Sequence, residues 1–484
     1  MPPTELEPDG ATAMTDRIPA KIIETIDPRQ PLRLTPAQAG GPIHTRAFTG
    51  LFRNLRLYGA GLLFAIFFGT AWLNWEGRQA VLWDLSGQRF YIFGATFWPQ
   101  DFILLSALLI IAAFGLFAIT VFAGRVWCGY TCPQSVWTWV FMWVEKVTEG
   151  DRGQRIKLDA APWSLNKVLR RSAKHGLWLA VSLVTAIGFI GYFVPVRELT
   201  GNLLTFNLDS GSFTWLLLFT AATYVNAGWL REKVCLHMCP YSRFQSVMFD
   251  KDTLLVSYDA ARGESRGPRR KDVEPQSVGL GDCIDCTMCV QVCPTGIDIR
   301  DGLQLDCISC GACIDACDTV MDKMGYARGL VGYRSESSLA GGKTNFLRPR
   351  LVSYAAVLVL MIGSFIWALD ARALLSLDIT RDRGLFRENS AGQIENIYSF
   401  KVINKTQQTR SYELALNDDG PFELRGNTTV KLAPGEITDV PLSVVLTAPR
   451  LASTSQRVGF EVHEVGAPQN RVTGVSTFVS PVNR

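Results

Sequence analysis

Cys283-Ile-Asp-Cys286-Thr-Met-Cys289-Val-Gln-Val-Cys293-Pro294 opens a stretch that continues Thr-Gly-Ile-Asp-Ile-Arg300 and closes with Cys307-Ile-Ser-Cys310-Gly-Ala-Cys313-Ile-Asp-Ala-Cys317. Two runs of C-x2-C-x2-C-x3-C back to back are the ligand pattern of a bacterial-type ferredoxin module that holds two [4Fe-4S] clusters. In such modules the fourth cysteine of each run crosses to the other cluster. That rule assigns Cys283, Cys286, Cys289 and Cys317 to one cluster, and Cys307, Cys310, Cys313 and Cys293 to the second. Pro294 follows the first run, whereas Asp318 stands at the equivalent place after the second, which questions the local turn but not the ligation. Paired zinc sites or a disulfide framework are the competing readings. Zinc sites usually separate their cysteine pairs by a longer loop, and disulfides need an oxidising compartment.

Outward from this stretch the chain is apolar in blocks. Among 484 residues, 48% are hydrophobic. Uncharged apolar runs at 57–73, 102–122, 176–196, 213–230 and 351–369 approach the roughly 20 residues needed to cross a bilayer. Five transmembrane helices are expected. The first begins too far from the N-terminus, and lacks a following small-residue cleavage site, to be a removable signal. The net charge of +4 is small and leaves no nucleic-acid footprint. Its placement is informative: 74–101 carries only Arg78 and Arg89, and 197–212 only Arg197. The loop 145–175, in contrast, carries Lys146, Arg152, Arg155, Lys157, Lys167, Arg170, Arg171 and Lys174. Basic loops stay on the cytoplasmic side. The N-terminus and the cluster module are therefore expected in the cytoplasm and everything beyond 369 in the periplasm. All twelve cysteines then lie on the reducing side.

The domains follow in order. Residues 1–54 read as an irregular cytoplasmic segment packed on the module. Residues 55–230 form a four-helix membrane domain, 231–350 the ferredoxin domain, 351–369 a fifth transmembrane helix, and 370–484 a periplasmic immunoglobulin-like β-sandwich. The sandwich rests on alternating runs at 394–403, 412–416, 440–446, 458–462 and 472–479, separated by Asn, Gly and Pro. The apolar run 134–144, with Trp137, Trp139 and Trp143, is too short to span and reads as an interfacial or re-entrant helix anchored by its indoles. The basic segment from Lys251 to Lys271 reads as a linker beside anionic lipid.

The membrane domain contains an internal repeat. Arg125-Val-Trp-Cys128-Gly-Tyr-Thr-Cys132-Pro133-Gln-Ser135 closes the second span, and Arg231-Glu-Lys-Val-Cys235-Leu-His237-Met238-Cys239-Pro240-Tyr-Ser242 closes the fourth. Proline suits the first position of a helix, so each second cysteine should cap a new one, where the helix dipole favours thiolate. Paired thiolates, with His237 and Met238 nearby, suit a soft ion such as Cu(I). Buried cysteines in tight turns, or regulatory thiols, are the alternative. With only His44, His175, His237 and His463, a chain of membrane haems is not expected.

The order of spans, the two C-x3-C-P exits, the double cluster motif running on through Pro294-Thr-Gly-Ile-Asp-Ile-Arg-Asp-Gly-Leu303, the Asp322-Lys-Met-Gly-Tyr326 that follows, and the sandwich tail together resemble the FixG/CcoG/RdxA family of cytochrome oxidase accessory proteins. The resemblance covers nearly the whole chain. It implies a bacterial inner-membrane protein that reduces Cu(II) to Cu(I) for the copper centre of a cbb3-type oxidase, with Cys128, Cys132, Cys235 and Cys239 handling the metal. Implied partners are copper ions, oxidase subunits or copper carriers, the lipid membrane, and an electron donor that is either quinol or a soluble reductant. Two other functions compete. One is a quinol-linked electron conduit resembling the membrane ferredoxins of nitrate reduction, and the other is a non-enzymatic assembly scaffold.

Overall fold

A computed structural model describes residues 43–384, 386–389, 392–406, 408–417, 420–448 and 454–481. The segment expected at 1–54 thus falls outside the described residues up to 42. From 43 on it has no regular structure until Leu51, and Arg46 donates its backbone N–H to Gln291 O of the cluster module.

Among the described residues four helices are long and apolar enough to cross a membrane: α1 (Leu51–Trp72), α2 (Phe102–Ala123), a helix at Leu165–Ile190, and one at Pro349–Asp370. Between the second and third of these lies α3 (Pro133–Glu149), and we label the Leu165–Ile190 helix α4. α4 begins well before the apolar run at 176. Its basic first turns are held in the helix by acidic partners described below, so charge does not end it. The stretch 213–230 is different in kind: α5 (Ser210–Thr223) has only 14 α-helical residues, and a wider π-helical turn continues it from Tyr224 to Leu230. α3 is packed among the long helices and does not lie on a surface. Trp137 donates to Thr185 Oγ1 of α4 at 2.8 Å and meets Phe64 and Phe67 of α1 edge-on. Trp143 of the same helix is 57% exposed.

Beyond α3 come α6 (Pro240–Met248), the cluster helix α7 (Ala312–Met324) and α8 (Pro349–Asp370). The module is closed by an antiparallel pair, Leu255–Tyr258 with Val331–Arg334, that brackets both cysteine runs. α2 and α8 each have one end at the module and the other at the sandwich, and α1 starts at the module. At the module end, Asp315 accepts from Phe52 N and Arg53 N, and Val121 O accepts from Thr253 and Arg348. At the other end, a three-stranded sheet (Val81–Asp84, Arg89–Ile92, Ala95–Phe97) precedes α2. There Asp101 receives Arg372 at 2.6 Å and Lys405 at 3.3 Å from the C-terminal domain.

That domain packs two antiparallel sheets face to face. One contains Leu375–Arg381, Ile394–Asn404, Ile437–Leu446 and Phe422–Arg425, with the short strand Arg387–Glu388 on the second of these; the other contains Thr429–Leu432, Arg410–Leu416, Ser455–Glu464 and Ala467–Val479. Alternate side chains such as Tyr398, Phe400, Val402, Val444, Phe460 and Phe478 fill the space between, as period-2 patterning requires. The strands at 375–381, 422–425 and 429–432 carry weak alternation and were not expected.

Candidate functional site: two thiol cradles and a thiol quartet

The module folds its eight motif cysteines round two cavities. Cys283, Cys286, Cys289 and Cys317 line one, together with Tyr258, Arg300 and Val331. Cys293, Cys307, Cys310 and Cys313 line the other, with Pro294, Ile297 and Ile308, and Cys289 reaches the wall of both. α7 contributes Cys313 to one cavity and Cys317 to the other. Among the described residues no three His, Cys, Asp or Glu side chains close on a point as they would round a single ion. The thiols thus surround volumes, the arrangement a multi-iron cluster requires, and their all-thiolate chemistry is that of [4Fe-4S]. Burial pushes the Cys289, Cys307 and Cys317 thiols up to about 12. Coordinated iron is what would hold them as thiolates. Asp318, where proline was expected, sits within α7, and its Oδ1 accepts Gly329 N–H at 2.9 Å; the helix simply continues past Cys317, so no proline turn is needed.

The two C-x3-C-P exits are brought together. Cys132 is the N-cap of α3 and Cys239 the N-cap of α6, each with proline at the first helical position. The first copy donates to the second at two places. Arg125 of the first copy donates to Ser242 O of the second at 2.6 Å, and Gln134 Nε2 donates to Asn226 O and Arg231 O. Gln245 of α6, fully buried, donates Nε2–H to Cys128 Sγ at 3.3 Å. Cys128, Cys132, Cys235 and Cys239 consequently feel one another's charge. Burial, then the neighbouring Cys132, Cys128 and Cys239, push Cys235 up to about 12. Burial raises Cys128 to about 11, with Gln245 partly opposing it. His237 and Met238 do not join this half-buried group: both are exposed, Met238 by 64%.

The quartet also touches the second cradle. Gly129, between Cys128 and Cys132, approaches the Ile308–Cys310 backbone so closely that a Cβ there would lie 2.8 Å from Ile308 O and 2.9 Å from Cys310 Cα. Arg125 spans the same gap, bonding to Leu305 O and reaching Cys307 O at 3.4 Å. Arginine, glycine and buried glutamine were not singled out as site residues. Only Arg125 left a trace in the sequence, as the arginine shared by both copies.

Comparison with known proteins agrees with this anatomy. Nitrogen fixation protein FixG of Rhizobium meliloti is 35% identical over 93% of this chain and 94% of its own length. The chain belongs to the FixG/RdxA family. Proteins RdxB and RdxA of Cereibacter sphaeroides are 38% and 40% identical, over 84% and 79% of the chain and 87% and 83% of their lengths. A family model described as an IG-like fold at the C-terminal of FixG matches 365–481. A 4Fe-4S dicluster domain matches 230–336, and a 4Fe-4S binding domain matches 105–145. As a member of the FixG/RdxA family with these domains and helices, the chain is a membrane iron–sulfur electron-transfer protein.

Proposed function

We propose that the chain reduces Cu(II) to Cu(I) at the Cys128, Cys132, Cys235 and Cys239 thiols, supplying the copper centre of a cbb3-type oxidase. When loaded, the two [4Fe-4S] groups supply electrons singly, which matches a one-electron substrate. The observation that carries the reading is the Cys128–Gly129 turn seated on the Ile308–Cys310 backbone, which puts a soft-ligand group against the wall of a cluster cradle. Thiolates favour Cu(I) over Cu(II), so the four cysteines would draw the electron onto the metal. In this reading the molecule lies in a bacterial inner membrane with five spans, the fourth made by α5 and its π-helical turn. The module faces the cytoplasm, and the sandwich faces the periplasm, where it receives oxidase subunits or copper carriers.

The test is anaerobic: reduced protein is mixed with Cu(II), cluster reoxidation is followed by visible absorbance, and Cu(I) by a chelator. Cys132→Ser with Cys239→Ser should slow both at least about tenfold while leaving cluster absorbance intact. Parent rates in that double variant would remove the thiols from the reaction.

A second reading has its own observation. The 4Fe-4S binding model at 105–145 contains Cys128 and Cys132, and the dicluster model starting at 230 contains Cys235 and Cys239. The quartet would then hold a third cluster and not copper. Iron per chain separates the two: about eight for two clusters, about twelve for three.

A further inference from the structure

We infer that a cavity walled by α3, α4 and the π-helical turn oxidises a membrane quinol and so feeds the clusters; this rests on the electron-transfer reading above. The cavity holds about 620 Å³, within the range of small-molecule sites. Its apolar walls are the rings of Trp178 and Trp229, with His175 between them: His175 meets Trp178 edge-on at 5.2 Å and lies nearly parallel to Trp229 at 6.4 Å. Flat walls of this kind bind a flat ring.

The rest of the lining selects the class of ring. Trp229 is 65% exposed, and His175 directly follows the basic first turns of α4, the level at which a bilayer meets water. A ligand that travels in lipid can therefore enter past Trp229. His175 Nδ1 is 2.8 Å from Tyr224 Oη. In the tautomer that donates Nδ1–H to that oxygen, Nε2 carries the lone pair and can take a hydroxyl proton from the ligand. The polar side is an ion-pair group outside the reaction: Glu145 pairs with Arg155 and Arg231, and Glu149 with Arg171 at 3.1 Å and Lys174 at 3.0 Å. These fixed charges keep water and a proton exit on that side. Gly228 makes the turn fit, since a Cβ there would lie 3.0 Å from the Trp178 ring.

The cavity also reaches an acceptor. Pro294, the residue after Cys293, lines both this cavity and the cradle of Cys293, Cys307, Cys310 and Cys313. One quinol loses two O–H bonds. Its protons would leave in turn through His175 Nε2 to the open polar side, its two electrons would be taken up singly by clusters held in the two cysteine cradles, and quinone would depart into the lipid. A nicotinamide would deliver a hydride, which single-electron acceptors cannot take in one step; a quinol can give its electrons one at a time.

The experiment uses the full-length protein in lipid nanodiscs. Menadione binding is measured by calorimetry, and anaerobic reduction of the clusters by menadiol is followed at visible wavelengths. Trp229→Leu should weaken menadione binding about tenfold. His175→Gln, which keeps a hydrogen-bonding side chain but no basic ring nitrogen, should bind menadione within about threefold of the parent. It should nonetheless be reduced by menadiol about 100-fold more slowly. Dithionite, which bypasses the cavity, should reduce all three proteins alike and shows that each is folded and loaded. Equal binding in Trp229→Leu, or a parent rate in His175→Gln, overturns the inference. If menadiol fails while dithionite-reduced protein still reduces Cu(II), the donor is soluble and the copper reading stands. If menadiol works but Cu(II) does not reoxidise the clusters, this site stands and the copper reading falls.

Discussion

Gly129 and Gly50 are two of the glycines whose missing side chains let the membrane domain and the cluster module touch. At Gly129 a methyl group would press on the Ile308–Cys310 backbone, which cannot swing aside as a side chain would. Gly129→Ala should therefore cost about 1–3 kcal/mol of overpacking. It should lower the thermal midpoint in detergent and slow electron passage to copper more than it lowers iron content. At Gly50 a Cβ would fall 2.2 Å from Asp315 Cγ. Asp315 needs that approach because its two oxygens accept from Phe52 N at 3.2 Å and Arg53 N at 2.8 Å, capping a helix with no side-chain cap of its own. Asp315→Ala should cost about 1.5–3 kcal/mol, the range for hydrogen bonds to a charged group, with Asp315→Asn between parent and Ala in a thermal melt. Neither glycine could be read from the chain, because what each approaches lies more than 170 residues away in sequence.

Elements with a local period were legible, and those set by distant partners were not. The cysteine runs, the apolar blocks and the long sandwich strands each follow from spacing within a short window. The start of α4 did not, since Lys167, Arg171 and Lys174 look like a loop until Glu149 and the Asp159 and Ala161 carbonyls are seen beside them. The π-helical turn is equally silent: hydropathy marks an apolar run but not the hydrogen-bond register inside it. The repeat was legible as a repeat, while its convergence into one thiol group required the fold. That convergence has a pH signature. In metal-free protein the raised Cys128 and Cys235 pKa values mean that the folded state binds those protons more tightly than the unfolded chain. Their contribution to stability is full below the unfolded value near 9.0, and is lost as pH rises through about 11 and about 12. Metal uptake must displace the same protons, so the affinity of the quartet for Cu(I) should climb with pH between 6 and 8, by up to about tenfold per unit for each thiol deprotonated. Competition against a chelator of known affinity at several pH values measures the slope.

At the scale of the molecule, Asp101 ties the sandwich to the membrane domain, beside the bond from Arg372 to Thr96 O. Asp101, 9% exposed at its side chain, receives both Arg372 and Lys405, and Arg372 also lies 4.4 Å over the Phe97 ring. Removing the carboxylate leaves two confined cations facing each other. Asp101→Ala should cost about 3–5 kcal/mol at this junction and raise amide exchange at 371–374 and 95–101, with the sandwich itself unchanged. A junction between 101 and 405 is invisible to any local reading, though each half was recognisable alone.

α7 bears Cys313 on one cradle and Cys317 on the other, with Asp315 between them holding the first turn of α1. Whatever steadies α7 at Cys313 and Cys317 therefore also steadies the carboxylate that caps α1. A chain whose cradles are loaded is thus expected to be cleared more slowly than one made under iron limitation, which a pulse-chase with and without an iron chelator measures. In that case cofactor supply would set abundance.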